Sequence, residues 1–217
     1  MEKLIWTKQI GRGFFMGPIL AGLLAGCGGS SGNIDMIEER EIPLTSLSDL
    51  TAMQSEQAAM IFDYSSPIVY TPLASIPTFG SAVYDGYLSG TLANSSDGLT
   101  DTIIGEMLLT VGFTNSSVNV SGSASNFRDE DDVPMTGSLT FSNGDLDRGA
   151  DIASDVTLTL NANGTLTDAD QNDLVFGSQL QGDMLGTNYD AVGGLVFGVV
   201  NHNGDEQYID GTFIAER

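Results

Sequence analysis

The sequence predicts an all-β fold: an eight-stranded antiparallel up-and-down β-barrel behind a short irregular or helical N-terminal segment. Three observations predict it. From Ser81 onward, runs with apolar residues at every second position recur eight times, at 82–92, 103–113, 117–127, 135–142, 155–162, 174–184, 193–200 and 208–215. Period two is the pattern of strands buried on one face. Clusters of Asn, Asp, Gly and Ser separate the runs, and these residues tolerate tight turns and positive φ. Eight consecutive strands joined as hairpins close into a barrel, which leaves no exposed edge. A two-sheet sandwich is the rival arrangement.

The chain opens with Lys3, Lys8 and Arg12, followed by an apolar run at 14–25 broken only by glycines and Pro18. A basic start, a short apolar core and a small-residue exit make a secretory signal. The run is too short for a membrane-spanning helix, which needs about 20 apolar residues. Its exit, Leu24-Ala25-Gly26-Cys27, resembles the bacterial lipobox, so residues 1–26 are expected to be removed and Cys27 lipidated. Two or more acyl chains hold a protein firmly at a membrane. Residues 27–33 are then a Gly/Ser-rich tether. Gly28 stands where an Asp favours inner-membrane retention in lipoproteins, so the expected location is the cell outer membrane, with the chain surface-exposed.

Residues 34–75 differ from the rest, and residues 34–78 hold four of the six prolines. Ser46 or Ser48 is placed to cap a helix over 49–62, with Leu50, Met53, Gln57 and Met60 on one side. Pro67, Pro72 and Pro77 keep the following stretch extended. Residues 76–217 form the barrel. Within it Met107, Leu109, Val111 and Phe113 share a face, as do Val156, Leu158 and Leu160, and as do Leu195, Phe197 and Val199. Turns are expected at 94–98, 129–132, Asn143-Gly144-Asp145, Asn163-Gly164 and Asn203-Gly204-Asp205. Glycines inside the runs mark bends or close packing.

The exported part, 27–217, has 191 residues and suits one domain. It carries four Arg and no Lys against 28 acids, a net charge of −24. Nucleic acid is excluded as a partner, because phosphate contacts need Lys and Arg. The charge fits a basic protein partner, a cation or a solubilised surface. With one cysteine there is no internal disulfide, so the core carries the fold. A membrane-spanning barrel needs an apolar outer face with aromatic girdles. The second face of these runs is Ser, Thr, Asn, Asp and Gly, and aromatics make up 8% of the chain, which favours a soluble barrel on a lipid tether.

The segment Ile76-Pro77-Thr78-Phe79-Gly80-Ser81-Ala82-Val83-Tyr84-Asp85-Gly86-Tyr87-Leu88-Ser89-Gly90 resembles the barrel entry of transferrin-binding-protein-B-like lipoproteins. Gly182-Asp183-Met184-Leu185-Gly186 with Ala191-Val192-Gly193-Gly194-Leu195-Val196-Phe197-Gly198 resembles that family's penultimate hairpin. Gly211-Thr212-Phe213-Ile214-Ala215-Glu216-Arg217 resembles its closing strand. The resemblance spans residues 76–217. It implies a single eight-stranded barrel on a surface lipoprotein that binds host iron proteins, haem carriers or other host factors. The large members have two lobes, each with a handle domain. This chain has room for one barrel, so transferrin itself is not implied.

Few residues suggest chemistry. His202, the only histidine, sits at an expected hairpin tip; it reads as a turn residue, with haem ligation as the functional alternative. One histidine without a second His or a ligating Cys makes no zinc site. No nucleophile motif surrounds any Ser, so no enzyme and no cofactor are expected. Asp168, Asp170 and Asn172 offer alternate oxygens to calcium but lack the EF-hand Gly and Glu, and read first as turn residues. The run 129–132 reads as a charged solvated loop. The expected function is capture of an extracellular protein or an iron or haem source. The alternative is an adhesion or envelope-structural lipoprotein without a small ligand.

Overall fold

The computed structural model describes residues 46–62, 68–94, 100–115, 118–148 and 157–217. The signal segment, Cys27, the tether and Pro67 lie outside these residues, as does most of the expected turn at 94–98. Helix α1 (Leu47–Phe62) is followed by eight strands. They are β1 (Gly80–Asn94), β2 (Thr100–Phe113), β3 (Val118–Asp129), β4 (Thr136–Leu146), β5 (Leu158–Thr167), β6 (Asp173–Leu185), β7 (Ala191–His202) and β8 (Asp205–Glu216). Each strand pairs antiparallel with the next, and β8 returns to β1, so the sheet is a closed barrel. The sandwich alternative is excluded.

Alternation sets the interior. Tyr84, Leu88 and Leu92 of β1, Met107, Leu109 and Val111 of β2, Leu158 and Leu160 of β5, and Phe213 of β8 belong to one continuous buried cluster. Tyr84 donates its phenol to the carbonyl of Tyr189 at 3.0 Å, and burial pushes that phenol's pKa well up. Between β2 and β3 the register shifts, and Asn126 takes a φ of 54°. The resulting bulge leaves Phe127 fully buried in the same cluster, against Gly105. A Cβ on residue 105 would lie 2.6 Å from that ring, so the position accepts only glycine without repacking.

Two expected turns are corrected. Asn143-Gly144-Asp145 lies inside β4, where Asn143 has a φ of 53° and the register with β5 slips between Ser142 and Asp145. Its turn-forming residues make a bulge. Asn163-Gly164 lies inside β5, and a Cβ at 164 would sit 2.2 Å from the carbonyl oxygen of Ser138 on β4. Here glycine serves the close approach of two strands and not a reversal. The turn at Asn203-Gly204 is real, with φ of 53° and 95°.

Outside the barrel, α1 covers part of the wall. Ser46 caps it, its Oγ accepting the amide of Asp49 at 3.1 Å and donating to the Asp49 carboxylate at 2.6 Å. The expected helix face is the buried one for Leu50, Met53 and Gln57, while the side chain of Met60 lies outside the described residues. Leu50 and Met53 pack on Tyr87 of β1, Ile104 of β2, Leu185, Ala191 and Ile214 of β8. These strand residues point outward, and the helix buries them. Past Pro72, which is extended, residues 73–75 form one 3-10 turn. Tyr70 bridges Leu185 beside the end of β6.

Candidate functional site

Two features of the barrel bear on function: a polar cluster at one end and an apolar stripe on the outer wall. The cluster gathers the sequence candidates Asp168, Asn172 and His202. Asp168 Oδ1 accepts the Asn172 amide at 2.8 Å and Oδ2 accepts the Asn172 side-chain amide at 2.9 Å. Burial alone would raise the Asp168 pKa. Hydrogen bonds from Asn172 and from the backbone of Asp170, with the nearby His202, outweigh it and hold the carboxyl below its usual value. Asp168 is thus engaged as an Asx-type turn acceptor, while Asp170 is exposed. Among the described residues, no group of three or more His, Cys, Asp or Glu side chains is placed to hold a metal ion.

His202 closes β7 and pairs with Asp205 across the Asn203-Gly204 turn, with its ring half-buried at the barrel end. Gln207 Nε2 lies 3.3 Å from His202 Nδ1. Donor and acceptor roles in this pair depend on the tautomer of the ring. Nε2 is buried, 4.0 Å from Asp168 Oδ2. Iron ligation at Nδ1 requires displacing Gln207, and at Nε2 a ring whose proton sits on Nδ1.

The acids at 129–132 are also largely engaged. Asp129 accepts the amides of Asp131 and Val133, Glu130 accepts that of Thr102, and Asp132 accepts the amide of Leu47 and the guanidinium of Arg128. The loop thereby fastens the start of α1 to the barrel.

On the outer wall, Leu195, Phe197 and Val199 alternate with the inward Val196 and Val200 of β7. The sequence shows this set as an apolar strand face; the structure shows it facing solvent. Val199 pairs directly with Tyr208 of β8, and Val175 of β6 lies opposite the neighbouring Asn201. These five residues are between 37 and 52% exposed. Gln179 and Asp210 pair with Phe197, and Gln181 and Thr212 pair with Leu195, giving the stripe a polar rim. Sequence reasoning missed it because period two identifies two strand faces but not which one meets water. The available signal was a second apolar set, Val192, Val196 and Val200, on the same run.

Fold and site together define a closed eight-stranded barrel with a packed interior, a helix on its wall and an uncovered apolar stripe. No family model matches the chain, and no curated protein matches it. Among solved structures it is similar to DynF from the dynemicin biosynthesis pathway of Micromonospora chersina. The identity is 12%, over 70% of this chain and 85% of that one, with a TM-score of 0.36.

Proposed function

We propose that this chain is a lipid-anchored barrel of the outer cell surface that binds a protein partner, as its resemblance to transferrin-binding-protein-B-like lipoproteins implies, and that it does so on its outer wall. The observation that carries the reading is the exposed stripe of Leu195, Phe197 and Val199 with Val175 and Tyr208. An apolar patch with a polar rim is the usual anatomy of a protein-binding surface. Large aromatic side chains supply most of the energy at such surfaces. The barrel interior is occupied by its own side chains, which favours the wall over the lumen as the place of binding. A net charge of −22 for the chain favours a basic partner. Binding is also favoured over catalysis, since the one histidine has a Gln207 amide against its Nδ1 and no nucleophile motif surrounds any Ser.

The test is biolayer interferometry of the immobilised chain against serum iron-carrying and haem-carrying proteins, with Phe197→Asp beside the native chain. One of them is expected to bind, and the variant to weaken it by about tenfold or more while circular dichroism stays unchanged. Equal binding by both chains would sink the stripe as the site. A haemin titration runs in parallel. A Soret shift abolished by His202→Ala would move the function to the barrel end.

A further inference from the structure

At one end of the barrel the β5–β6 turn meets the β7–β8 hairpin. Three polar side chains come together there: Asp168 of the turn, His202 at the end of β7 and Gln207 near the start of β8. Register brings them together. His202 pairs with Leu174 of β6 on one side and with Asp205 of β8 on the other, and Gln207 lies opposite Val200. Gln207 is only 7% exposed. Two atoms of this group are buried and make no hydrogen bond, His202 Nε2 and Gln207 Oε1. Nε2 stands 4.0 Å from Asp168 Oδ2, beyond hydrogen-bond reach. A buried polar atom left unpaired is costly, and two side by side are uncommon in a folded chain.

A neutral ring cannot remove both deficits. With its proton on Nε2 it can reach toward Asp168, but Nδ1 then takes the Gln207 NH2 and Oε1 stays unpaired. With its proton on Nδ1 the Gln207 amide must turn to present Oε1, and the bare Nε2 faces a carboxylate, acceptor against acceptor. A doubly protonated ring donates from both nitrogens. Nδ1–H then meets Oε1 of the turned amide, and Nε2–H meets Asp168 Oδ2. The Gln207 NH2 takes the place that Oε1 leaves, so one deficit replaces two, and both new bonds are charge-assisted.

The surrounding charges favour that state. The titratable groups on the neighbouring elements are Asp168 and Asp170 of the turn, Asp173 of β6, and Asp205, Glu206 and Tyr208 of β8. Asp173 accepts the Thr167 hydroxyl and Glu206 the Tyr208 phenol. The described arginines are engaged elsewhere: Arg128 pairs with Asp132, Arg148 donates to the carbonyls of Ile76 and Pro77, and Arg217 lies over the Tyr189 ring. Burial alone would raise the Asp168 pKa, but its hydrogen bonds and the nearby His202 hold it below the usual value. Asp168 is therefore an anion throughout the range in which imidazole titrates.

We propose that His202, Gln207 and Asp168 form a proton-driven latch at this end of the barrel. When the ring takes up one proton, the Gln207 amide turns over and Nε2–H closes on Asp168, which ties the β5–β6 turn to the β7–β8 hairpin. When the proton leaves, the turn is released. Imidazole changes its charge between about pH 5 and 8, so the latch answers mild acidification. A bond that only the protonated ring can form adds stability at the acid end and loses it as pH rises. The latch uses none of the residues of the apolar stripe, so each reading stands or falls alone.

The experiment is 1H–15N NMR of the full chain across about pH 5–8. The chain has one histidine, so its ring signals are unambiguous. As the ring protonates, the Gln207 side-chain amide signals are expected to move with it, and Nε2–H to exchange with water more slowly than in Asp168→Asn. Amide hydrogen exchange, corrected for its intrinsic dependence on pH, reads the latch itself. The Asn172 amide bonds Asp168 and the Gly204 amide bonds Asn201, one on each side of the latch. Their protection should rise by about fivefold from pH 8 to pH 5, the factor that about 1 kcal/mol makes. In His202→Gln and in Gln207→Leu the rise should shrink below about twofold. Asp131→Asn, an exposed acid of another turn, should keep the full rise. Gln207 signals that ignore the protonation of the ring overturn the proposal, and that readout needs no variant to fold. So does an equal rise of protection in His202→Gln, which would mean relief of general acidic repulsion.

Discussion

Asp168 accepts two hydrogen bonds from Asn172, and its amide donates to the Asn172 carbonyl at 3.0 Å, so one residue organises the β5–β6 turn. Asp168→Ala removes both acceptors and is expected to cost about 1 kcal/mol, the low end for a charged acceptor near solvent. The pH dependence follows from the lowered carboxyl pKa. The unfolded carboxyl titrates at about 3.9. Above that value the folded state holds fewer protons and gains stability, and the gain is lost as pH falls through the lower folded pKa. Thermal melts of native and variant chains should differ at pH 7 and converge toward pH 3. A constant gap would mean that the turn geometry and not the charge is at stake. At this scale the sequence was partly legible. An Asx-rich turn is readable because Asn and Asp bond their own backbone two to four residues on. That His202 would face inward onto Gln207 and Asp168 was not readable, since the inward parity of a strand's last residue depends on register.

At the scale of elements, helix and strands explain each other. The doublets Tyr87-Leu88, Ile103-Ile104 and Phe213-Ile214 break the alternation of β1, β2 and β8. The second member or the first is buried under α1 in each case. Such doublets in the sequence are the trace of a wall covered on both faces. The helix also brings Glu56 to Glu216, and this is where a prediction belongs. Glu216 has its carboxyl raised by burial and by Glu56 and Asp85. A folded acid with a raised pKa loses stability as pH climbs from the unfolded value, about 4.3, through the folded one. Glu216→Gln removes that penalty. The variant is expected to melt higher than the native chain at pH 7 and at the same temperature near pH 4. A variant that melts lower at pH 7 would show that Glu216 has a stabilising partner outweighing the repulsion. The boundaries of β4 and β5 were the less legible elements. Asn-Gly signals positive φ or a missing side chain, and a coiled barrel uses both inside strands, at the Asn143 bulge and at the Gly164 approach.

At the scale of the molecule, closure rests on β8 returning to β1, with Gly90 opposite Gly211 and Leu88 opposite Phe213. The count of eight runs made an up-and-down barrel legible, because an even set of hairpin-linked strands ends antiparallel to its start, but closure itself was not, since the same runs also suit two packed sheets. The docking surface was not legible, because it is defined by what closure leaves outside. The same closed shape sets acids of the described residues, such as Asp131, Asp170 and Asp210, on its exterior, in a chain of net charge −22. Self-repulsion on that surface disfavours the compact state relative to an expanded chain. Raising NaCl from about 10 mM to about 1 M shortens the screening length from about 30 to about 3 Å. The melting temperature at pH 7 should rise, by about 2–4 °C for each kcal/mol of repulsion relieved in a chain of this length. Near pH 4, where many carboxylates are protonated, the same salt step should act more weakly. That comparison separates screening from any general strengthening of apolar burial by salt, which would persist at low pH. An unchanged or falling melting temperature at pH 7 would mean that the turn acids, of which Asp129, Asp132 and Asp168 are the pattern, hold their charges in local hydrogen bonds strongly enough to offset their mutual repulsion.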